Sequence, residues 1–234
     1  MNKKKYTIAQ ILPALNTGGV ERGVVEISKA LVENNFRSIV ISSGGHMVSQ
    51  ITRNGGIHYD LDVHTKNPLK WPKIRNELKR ILESENVDLI HFCSRAPAWI
   101  GVPLGAILDI PIITSVHMRF RKSNVFKKYY NSILTKGNSI IAISKHIEES
   151  IKTYFPKVSS KIKIIHRGVD IDLFDTNKIN PARIIAQSKH LNLKDNVPVI
   201  IMAARPAMWK GYQILIKALS KVKHDFQCVL IGAG

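Results

Sequence analysis

The chain has 234 residues, of which 44% are hydrophobic and 22% are charged, a balance that is typical of a folded protein rather than a disordered one. Its 35 Lys and Arg residues outnumber the 17 Asp and Glu residues, so the formal net charge is +18 and an anionic partner is expected. The sequence has neither zinc-finger spacing nor a basic region that leads into heptads, which argues against the common DNA-reading classes.

The positive charge is spread along the chain, with short clusters at Lys3-Lys4-Lys5, Arg119-Arg121-Lys122 and Lys127-Lys128. We interpret these residues as part of a solvated basic surface that anionic lipid headgroups or a phosphorylated substrate would attract. A specific nucleic-acid partner is not expected.

Two segments could be mistaken for membrane-targeting sequences. The apolar part of the N-terminus is short and is interrupted by Pro13, so it is interpreted as a first strand rather than a signal peptide. Residues 96–116 contain three prolines and Asp109, which divide them into helix, turn and strand.

Cys93 and Cys228 lie in apolar strand-like runs, which predicts buried thiols in a reducing cytoplasm. The expected location is therefore cytoplasmic, and the basic surface favours the inner face of the membrane.

Short apolar runs alternate with amphipathic stretches through residue 165. The predicted strands are Thr7–Leu12, Ser38–Ser42, Ile57–Leu61, Asp88–Phe92, Ile112–Val116, Ser139–Ile143 and Lys161–Ile165. The predicted helices are Val20–Asn34, Met47–Asn54, Leu69–Ser84, Ala96–Leu108, Asn124–Thr135 and Ser144–Tyr154. Apolar strands separated by helices indicate a parallel sheet covered on both faces, the doubly wound α/β class. Such sheets bind ligands at the carboxyl ends of their strands, so the site is expected there.

A second βαβ series follows a polar, irregular stretch. It comprises a helix at Ala182–Lys189, a strand at Val199–Ala203, a helix at Tyr212–Val222 and a strand at Gln227–Ile231. We therefore expect two domains, residues 1–175 and 176–234. Domains of this kind usually have about 100–150 residues, and a turn such as Gly232-Ala233-Gly234 normally opens another helix. The second domain is expected to be incomplete.

The loop after the first strand carries Gly18 and Gly19 at the start of a predicted helix. Glycines there let backbone N–H groups approach an anion closely, and the helix N-terminus adds positive potential. A plain tight turn is the alternative. The pattern is neither Gly-x-Gly-x-x-Gly nor a phosphate loop that ends in Gly-Lys-Ser/Thr, which argues against a dehydrogenase and an NTPase.

Three further side chains follow predicted strands. His117 comes directly after Ile112–Val116, where a histidine bonds a sugar hydroxyl, polarises a reacting centre or serves the structure alone. Arg205 and Lys210 flank a turn in the second series. An arginine fork and a lysine point charge suit a diphosphate leaving group, and two exposed loop cations are the alternative.

Five features occur in a recognisable order: Gly18-Gly19-Val20-Glu21, His117, Ala142-Ile143-Ser144-Lys145, Gly168-Val169-Asp170 before Phe174, and Arg205-Pro206-Ala207-Met208-Trp209-Lys210-Gly211. In this order the sequence resembles family 4 glycosyltransferases of the GT-B fold. The resemblance implies a complete N-terminal Rossmann-like domain and the first part of a second one. Two departures from the family are Ala204, where glycine is common, and His166-Arg167, where Pro-Asn is usual.

The resemblance implies transfer of a sugar from a nucleoside-diphosphate-sugar to a glycan or lipid-linked acceptor in cell-envelope polysaccharide or lipopolysaccharide synthesis. It also implies retention of anomeric configuration, with no metal and no other cofactor. By analogy Gly18 and Gly19 lie against the donor diphosphate, His117 is the catalytic-site residue that contacts the donor sugar, and Arg205 with Lys210 compensates the leaving diphosphate. Asp170-Ile-Asp172 matches the Asp-x-Asp metal motif of another glycosyltransferase fold, but its place between the two series argues against a metal site.

Members of the family carry two glutamates, eight positions apart, that hold the donor sugar and ribose later in the second domain. The chain ends before that point and is expected to be C-terminally truncated. Three hypotheses stay open. The chain is one part of a split transferase that a separate C-terminal fragment completes, or an inactive remnant, or a basic module that binds membrane or nucleic acid.

Overall fold

Strands and helices alternate along the computed structural model, which describes residues 5–65, 67–120 and 124–232. The strands are β1 Thr7–Ile11, β2 Arg37–Ser42, β3 Ile57–Asp60, β4 Leu89–Phe92, β5 Ile112–Val116, β6 Ser139–Ala142, β7 Ile162–Ile164, β8 Val199–Ala203 and β9 Gln227–Ile231. The helices are α1 Gly19–Glu33, α2 Val48–Arg53, α3 Trp71–Ser84, α4 Arg95–Leu108, α5 Val125–Ser132, α6 Lys145–Tyr154, α7 Pro181–His190 and α8 Tyr212–Leu219. Each predicted strand and helix is present, with small differences at the ends.

Some residues that the sequence singled out lie outside the described ranges. They are Lys3 and Lys4 of the first basic cluster, Arg121 and Lys122 of the second, and the terminal Ala233-Gly234.

The first seven strands form one parallel sheet in the order β3-β2-β1-β4-β5-β6-β7. The chain runs outwards from β1 to β3 and then crosses back to place β4 on the other side of β1, with Ile11 aligned with Phe92. The boundary between β1 and β4 is therefore the topological switch point, outside which doubly wound sheets bind their ligands. The predicted α/β class with a parallel sheet is confirmed.

The two faces of this sheet bury different apolar clusters. One face carries the larger cluster, to which α3 contributes Ile74, Leu78 and Leu82 at the four-residue spacing of one helix face. The other face carries a smaller cluster under α1 and α2, including Leu12, Leu15, Val24, Val25, Val40, Ile51 and Cys93. Both faces are covered near the switch point, so the strand ends there lie within the packed core.

Helices α6 and α1, which both pack on the seven-stranded sheet, begin differently. Ser144 caps α6, because its hydroxyl accepts a hydrogen bond from the backbone N–H of Ile147 at 3.3 Å. At α1 the capping residue is Gly18, and no side chain caps the helix. The N–H groups of the first turn of α1 therefore stay available to another acceptor.

The boundary expected from the sequence lies between 175 and 176; the structure divides the chain into residues 1–170 and a second compact unit of residues 171–234. In it β8 and β9 form a parallel pair that aligns Ala203 with Ile231. None of the described residues 171–232 is buried, and Ile201 and Ile214 are 59% and 75% exposed.

The prediction that both cysteines are buried is wrong for one of them. Cys93 is buried, whereas Cys228 is exposed. Cys228 lies on β9, whose two-strand sheet leaves its apolar side chains accessible, so an apolar strand pattern is not enough to bury a thiol.

The apolar stretch of residues 96–116 forms part of α4, a turn and β5. Within the part of the chain that the structure describes, no helix combines the length and apolar character that crossing a bilayer requires.

Candidate functional site

One arginine joins three loops at the carboxyl ends of β1, β5 and β7. The guanidinium of Arg167 donates through Nη1 to the carbonyl of Gly19, and its Nη2 lies 3.4 Å from Nδ1 of His117. Gly19 is the first residue of α1, and His117 directly follows β5. The structure therefore brings the glycine loop and His117 together, and Arg167 is the contact between them.

Two glycines make room for this guanidinium. A Cβ atom on Gly19 would lie 2.9 Å from Nη1 of Arg167, and one on Gly23 would lie 3.2 Å from Nη2. Because residues four apart share one face of a helix, α1 presents a strip without side chains on which Arg167 rests. The space at Gly19 and Gly23 is thus taken by a cation, and the approach of an anion to Gly18 and Gly19 stays a prediction.

His117 is largely shielded from solvent and is neutral at pH 7. Burial lowers its pKa to about 4, and the charge of Arg167 and the nearby His91 lower the pKa further in the same direction. Since a guanidinium only donates, Nδ1 is the acceptor and the proton is assigned to Nε2. Among the described residues that Nε2 is buried without a hydrogen-bond partner. The arrangement leaves a donor ready for an oxygen of a ligand.

A layer of buried polar side chains lies on the neighbouring strands β1, β4 and β5. His91 on β4 contacts the hydroxyl of Ser115 at 2.6 Å, and burial lowers the pKa of His91 to about 4. Gln10 on β1 stands in register with His91 and is fully buried, and neither atom of its amide has a partner among the described residues. Polar groups of this kind at a switch point are candidates for ligand contacts.

Arg95 adds a second cation at the end of β4. It is the first residue of α4, and its Nε is buried without a partner in the described part of the chain. The guanidinium carbon lies 5.8 Å from the centre of the Phe120 ring, and burial lowers the pKa of Arg95. Together, Arg95 and Arg167 place two guanidinium groups near the switch point.

The sequence interpretation missed Arg167, Arg95, His91 and Gln10. Gln10 and His91 did carry a signal, since each is a polar residue inside an apolar strand. Arg167 appeared only as a departure from the family pattern.

Arg205 and Lys210 belong to the second unit, which is described by itself. Arg205 follows the carboxyl end of β8, and Lys210 ends a 3₁₀ turn just before α8. Both are exposed. Gly211, with φ of 85°, makes the left-handed step into α8 that a side chain would strain. Both cations therefore lie in the segment between β8 and α8, and their role towards a diphosphate stays a prediction.

The Asp-x-Asp pair is divided between lysines. A carboxylate oxygen of Asp170 lies 3.4 Å from the Lys29 ammonium, and Asp172 pairs with Lys178. Within the described ranges no group of three or more His, Cys, Asp or Glu residues could hold a metal ion.

Comparison with known proteins gives consistent results. The family model for Glycosyltransferase Family 4 matches residues 17–173. The structure resembles a crystal structure of a glycosyltransferase from Rickettsia africae, with a TM-score of 0.86 and 36% identity over 98% of this chain and 61% of that one. It also resembles an Anabaena protein solved in complex with UDP and glucose, with a TM-score of 0.80 and 18% identity over 96% and 60% of the two chains.

Among curated proteins, an uncharacterized glycosyltransferase of Methanocaldococcus jannaschii is 23% identical over 95% of this chain and 61% of its own length. The chain thus spans about 60% of the length of each of these three relatives. The GT-B type fold predicted from the sequence is confirmed by these structures. The motif order, the seven-stranded parallel sheet and the family match agree, and the chain belongs to glycosyltransferase family 4.

Proposed function

We propose that the chain provides the acceptor side and the phosphate-facing part of a glycosyltransferase that uses a nucleoside-diphosphate-sugar donor. The observation that carries the proposal is the Arg167 guanidinium, which lies between the N-terminus of α1 and the neutral His117. A cation, a helix N-terminus and an imidazole donor at the same edge of the sheet suit a sugar joined to a diphosphate.

The donor diphosphate is proposed to lie at Gly18 and Gly19. No side chain caps α1, so its first-turn N–H groups and the positive end of its dipole face the incoming phosphate. Arg167 has five N–H donors. Two of its nitrogens already contact the carbonyl of Gly19 and the imidazole of His117. The remaining donors are available to phosphate oxygens, which makes Arg167 a binding residue that we add to the expected set.

His117 is proposed to contact the donor sugar. Its Nε2–H is the donor that has no partner among the described residues, and a sugar hydroxyl or the bridging oxygen is an acceptor of the right kind. The imidazole of His117 stays neutral because it is buried and because the neighbouring guanidinium of Arg167 would repel its protonated form.

Arg205 and Lys210 are proposed to compensate the charge of the leaving diphosphate. Both are exposed at the carboxyl end of β8 and need no rearrangement of a core to meet a ligand. In this proposal the protein's own cations carry the charge compensation and the reaction retains anomeric configuration.

The substrates are proposed by class. The Anabaena relative was solved with UDP and glucose, which supports a nucleoside-diphosphate-sugar donor here. The net charge of +18 favours an anionic acceptor, such as a phosphorylated or lipid-linked glycan of the cell envelope or of lipopolysaccharide.

The proposal is tested by incubating the chain with a panel of nucleotide-sugars and lipid-linked acceptors and measuring release of the nucleoside diphosphate. Because the chain spans about 60% of the length of its relatives, the assay is run with the chain alone and with a co-expressed polypeptide that supplies the part that the relatives have in addition. We expect release that His117→Ala and Arg167→Ala both reduce. Absence of release from every donor in both formats would overturn the proposal.

A further inference from the structure

The segment around α5 carries only one sign of charge. Residues 110–147 contain seven Lys or Arg residues and no Asp or Glu. Of the basic side chains, Arg119, Lys127, Lys128 and Lys136 are exposed in the structure. A segment with one sign of charge attracts a polyanion, and no carboxylate within the segment neutralises it.

α5 turns its apolar side outwards. Successive residues of a helix are rotated by about 100°, which puts Val125, Phe126 and Tyr129 on the side opposite Asn131. Asn131 is buried, whereas Val125, Phe126 and Tyr129 are 80%, 85% and 66% exposed. A helix of a water-facing surface normally shows the reverse arrangement.

The outward apolar side is fixed by packing. The indole N–H of Trp99 on α4 donates to the carbonyl of Tyr130 at 3.0 Å. Its ring lies 5.1 Å from the Tyr129 ring and 6.3 Å from the Tyr130 ring, measured between centroids. These contacts hold α5 against α4, so the exposure of Val125 and Phe126 belongs to the folded arrangement.

We propose that α5, with Arg119 and Lys136, is the surface by which the chain docks on an anionic lipid bilayer. Val125 and Phe126 enter the interfacial region, Tyr129 lies at headgroup depth, and the basic side chains meet lipid phosphates. Exposed aromatic and aliphatic side chains together with lysines are the residue types that bind at the surface of an anionic bilayer.

The same composition disfavours the other occupants. Lysine is depleted at protein–protein interfaces, and a protein partner would have to cover Lys127 and Lys128 together with Val125 and Phe126. Single-stranded nucleic acid stacks successive bases on several aromatic faces, but the Tyr129 and Tyr130 rings already pack on Trp99, so of the three aromatic rings of α5 Phe126 alone offers an open face.

The surface is continuous in sequence with the proposed site. His117 is followed directly by Met118, which is 65% exposed, and by Arg119. A chain docked through this segment would hold the carboxyl end of β5 close to the bilayer, where a lipid-linked acceptor resides. That purpose rests on the proposed transferase function, whereas docking itself is measured without donor or acceptor, so the two fail separately.

The test is co-sedimentation of the full chain with vesicles of phosphatidylcholine, either alone or mixed with phosphatidylglycerol. We expect binding to the mixed vesicles only, weakened by added NaCl. The double variant Val125→Ser/Phe126→Ser is expected to lower the partition coefficient by about tenfold or more. Lys127→Glu/Lys128→Glu is expected to lower it by at least as much, since each lysine near an anionic surface contributes on the order of fivefold.

Two controls match these changes. Leu69→Ser removes an apolar side chain that is 86% exposed on another surface element, and Lys221→Glu/Lys223→Glu makes the same change of charge at exposed lysines of the second unit. Both controls are expected to bind mixed vesicles with an affinity close to that of the unmodified chain. All substituted positions are exposed, and circular dichroism checks that the variants stay folded.

Three results would overturn the proposal. They are absence of binding to mixed vesicles, equal loss of binding in the α5 variants and their controls, and a self-association by sedimentation equilibrium that the α5 variants abolish while vesicle binding is absent. Salt-sensitive binding of an oligonucleotide that depends on Phe126, without vesicle binding, would likewise assign the surface to nucleic acid.

Discussion

The Nη2 of Arg167 lies 3.4 Å from the Nδ1 of His117, and burial together with this cation lowers the pKa of the imidazole to about 4. Arg167 stands where the family usually has asparagine, so this chain adds a charge of its own to the burial that keeps His117 neutral, and the same contact sets the tautomer of the imidazole. The proposed donor contact of His117, through Nε2–H, depends on that pairing.

The first prediction concerns the pKa of His117. In Arg167→Ala the pKa of His117 is expected to rise above about 4 but to stay below 6.5, because burial, its larger cause, persists. NMR titration of the labelled imidazole measures it, with Arg167→Lys as the variant that keeps the charge and a low pKa. An unchanged pKa in Arg167→Ala would contradict the contact.

The second prediction separates two glycines that both lie in helices. In Gly23→Ala the new Cβ meets only the flexible end of Arg167, at 3.2 Å, so the free energy of unfolding should stay the same or rise by up to about 1 kcal/mol. The displaced guanidinium should nevertheless raise the pKa of His117.

Gly101→Ala is the matched comparison, because its Cβ would lie 2.4 Å from Cζ of Phe92 in the core. Urea denaturation should show a loss of roughly 1–3 kcal/mol in this variant. Equal effects of the two substitutions on stability, with no shift at His117, would show that the glycine strip does not serve Arg167.

The third prediction is a loss of stability in mild acid. Burial lowers the pKa of His91 from 6.5 in the unfolded chain to about 4, so between these values the unfolded state binds more protons. Stability is therefore complete above about pH 6.5 and falls as the pH drops towards 4, by on the order of 3 kcal/mol for this one group. Urea titrations across this range should show the loss, and His91→Gln should reduce it without abolishing it, because His117 has a similarly low pKa. A slope that His91→Gln leaves unaltered would assign the acid sensitivity elsewhere.

The fourth prediction concerns the two thiols. Cys228 is exposed and should react promptly with a thiol reagent in the native 234-residue chain. Burial raises the pKa of the Cys93 thiol to about 12, so Cys93 should react only after unfolding. Absorbance titration before and after addition of denaturant measures this, and Cys228→Ser should abolish the native reaction. Prompt native reaction in Cys228→Ser would show that β4 opens readily.

Most of the fold could be predicted because its signals are local. The strands are short apolar runs, and a cap such as Ser144 marks a helix start within three residues of its partner. Parallel pairing follows from the alternation of these runs with helices. Local pattern was sufficient for β8 and β9 as well, although it was wrong about Cys228, since burial depends on what packs across a strand.

The candidate site could be predicted only where the sequence of a single loop indicates a functional residue. Gly18, Gly19 and His117 each follow a strand, and the family resemblance gave them their expected roles. Arg167 contacts Gly19 across 148 positions of the sequence, and no pattern within either loop specifies that contact. The unpartnered amide of Gln10 likewise has meaning only beside His91 on the neighbouring strand.

The central claim is that Arg167, at the N-terminus of α1, binds the diphosphate of a nucleotide-sugar donor. Isothermal titration of UDP into the unmodified chain, Arg167→Ala and the control Arg53→Ala, an exposed arginine on α2, tests it most directly. The account predicts that UDP binds, that Arg167→Ala weakens binding by about tenfold or more through loss of a charge-assisted hydrogen bond, and that Arg53→Ala leaves it unchanged. Equal affinity of Arg167→Ala and the unmodified chain for UDP would contradict it.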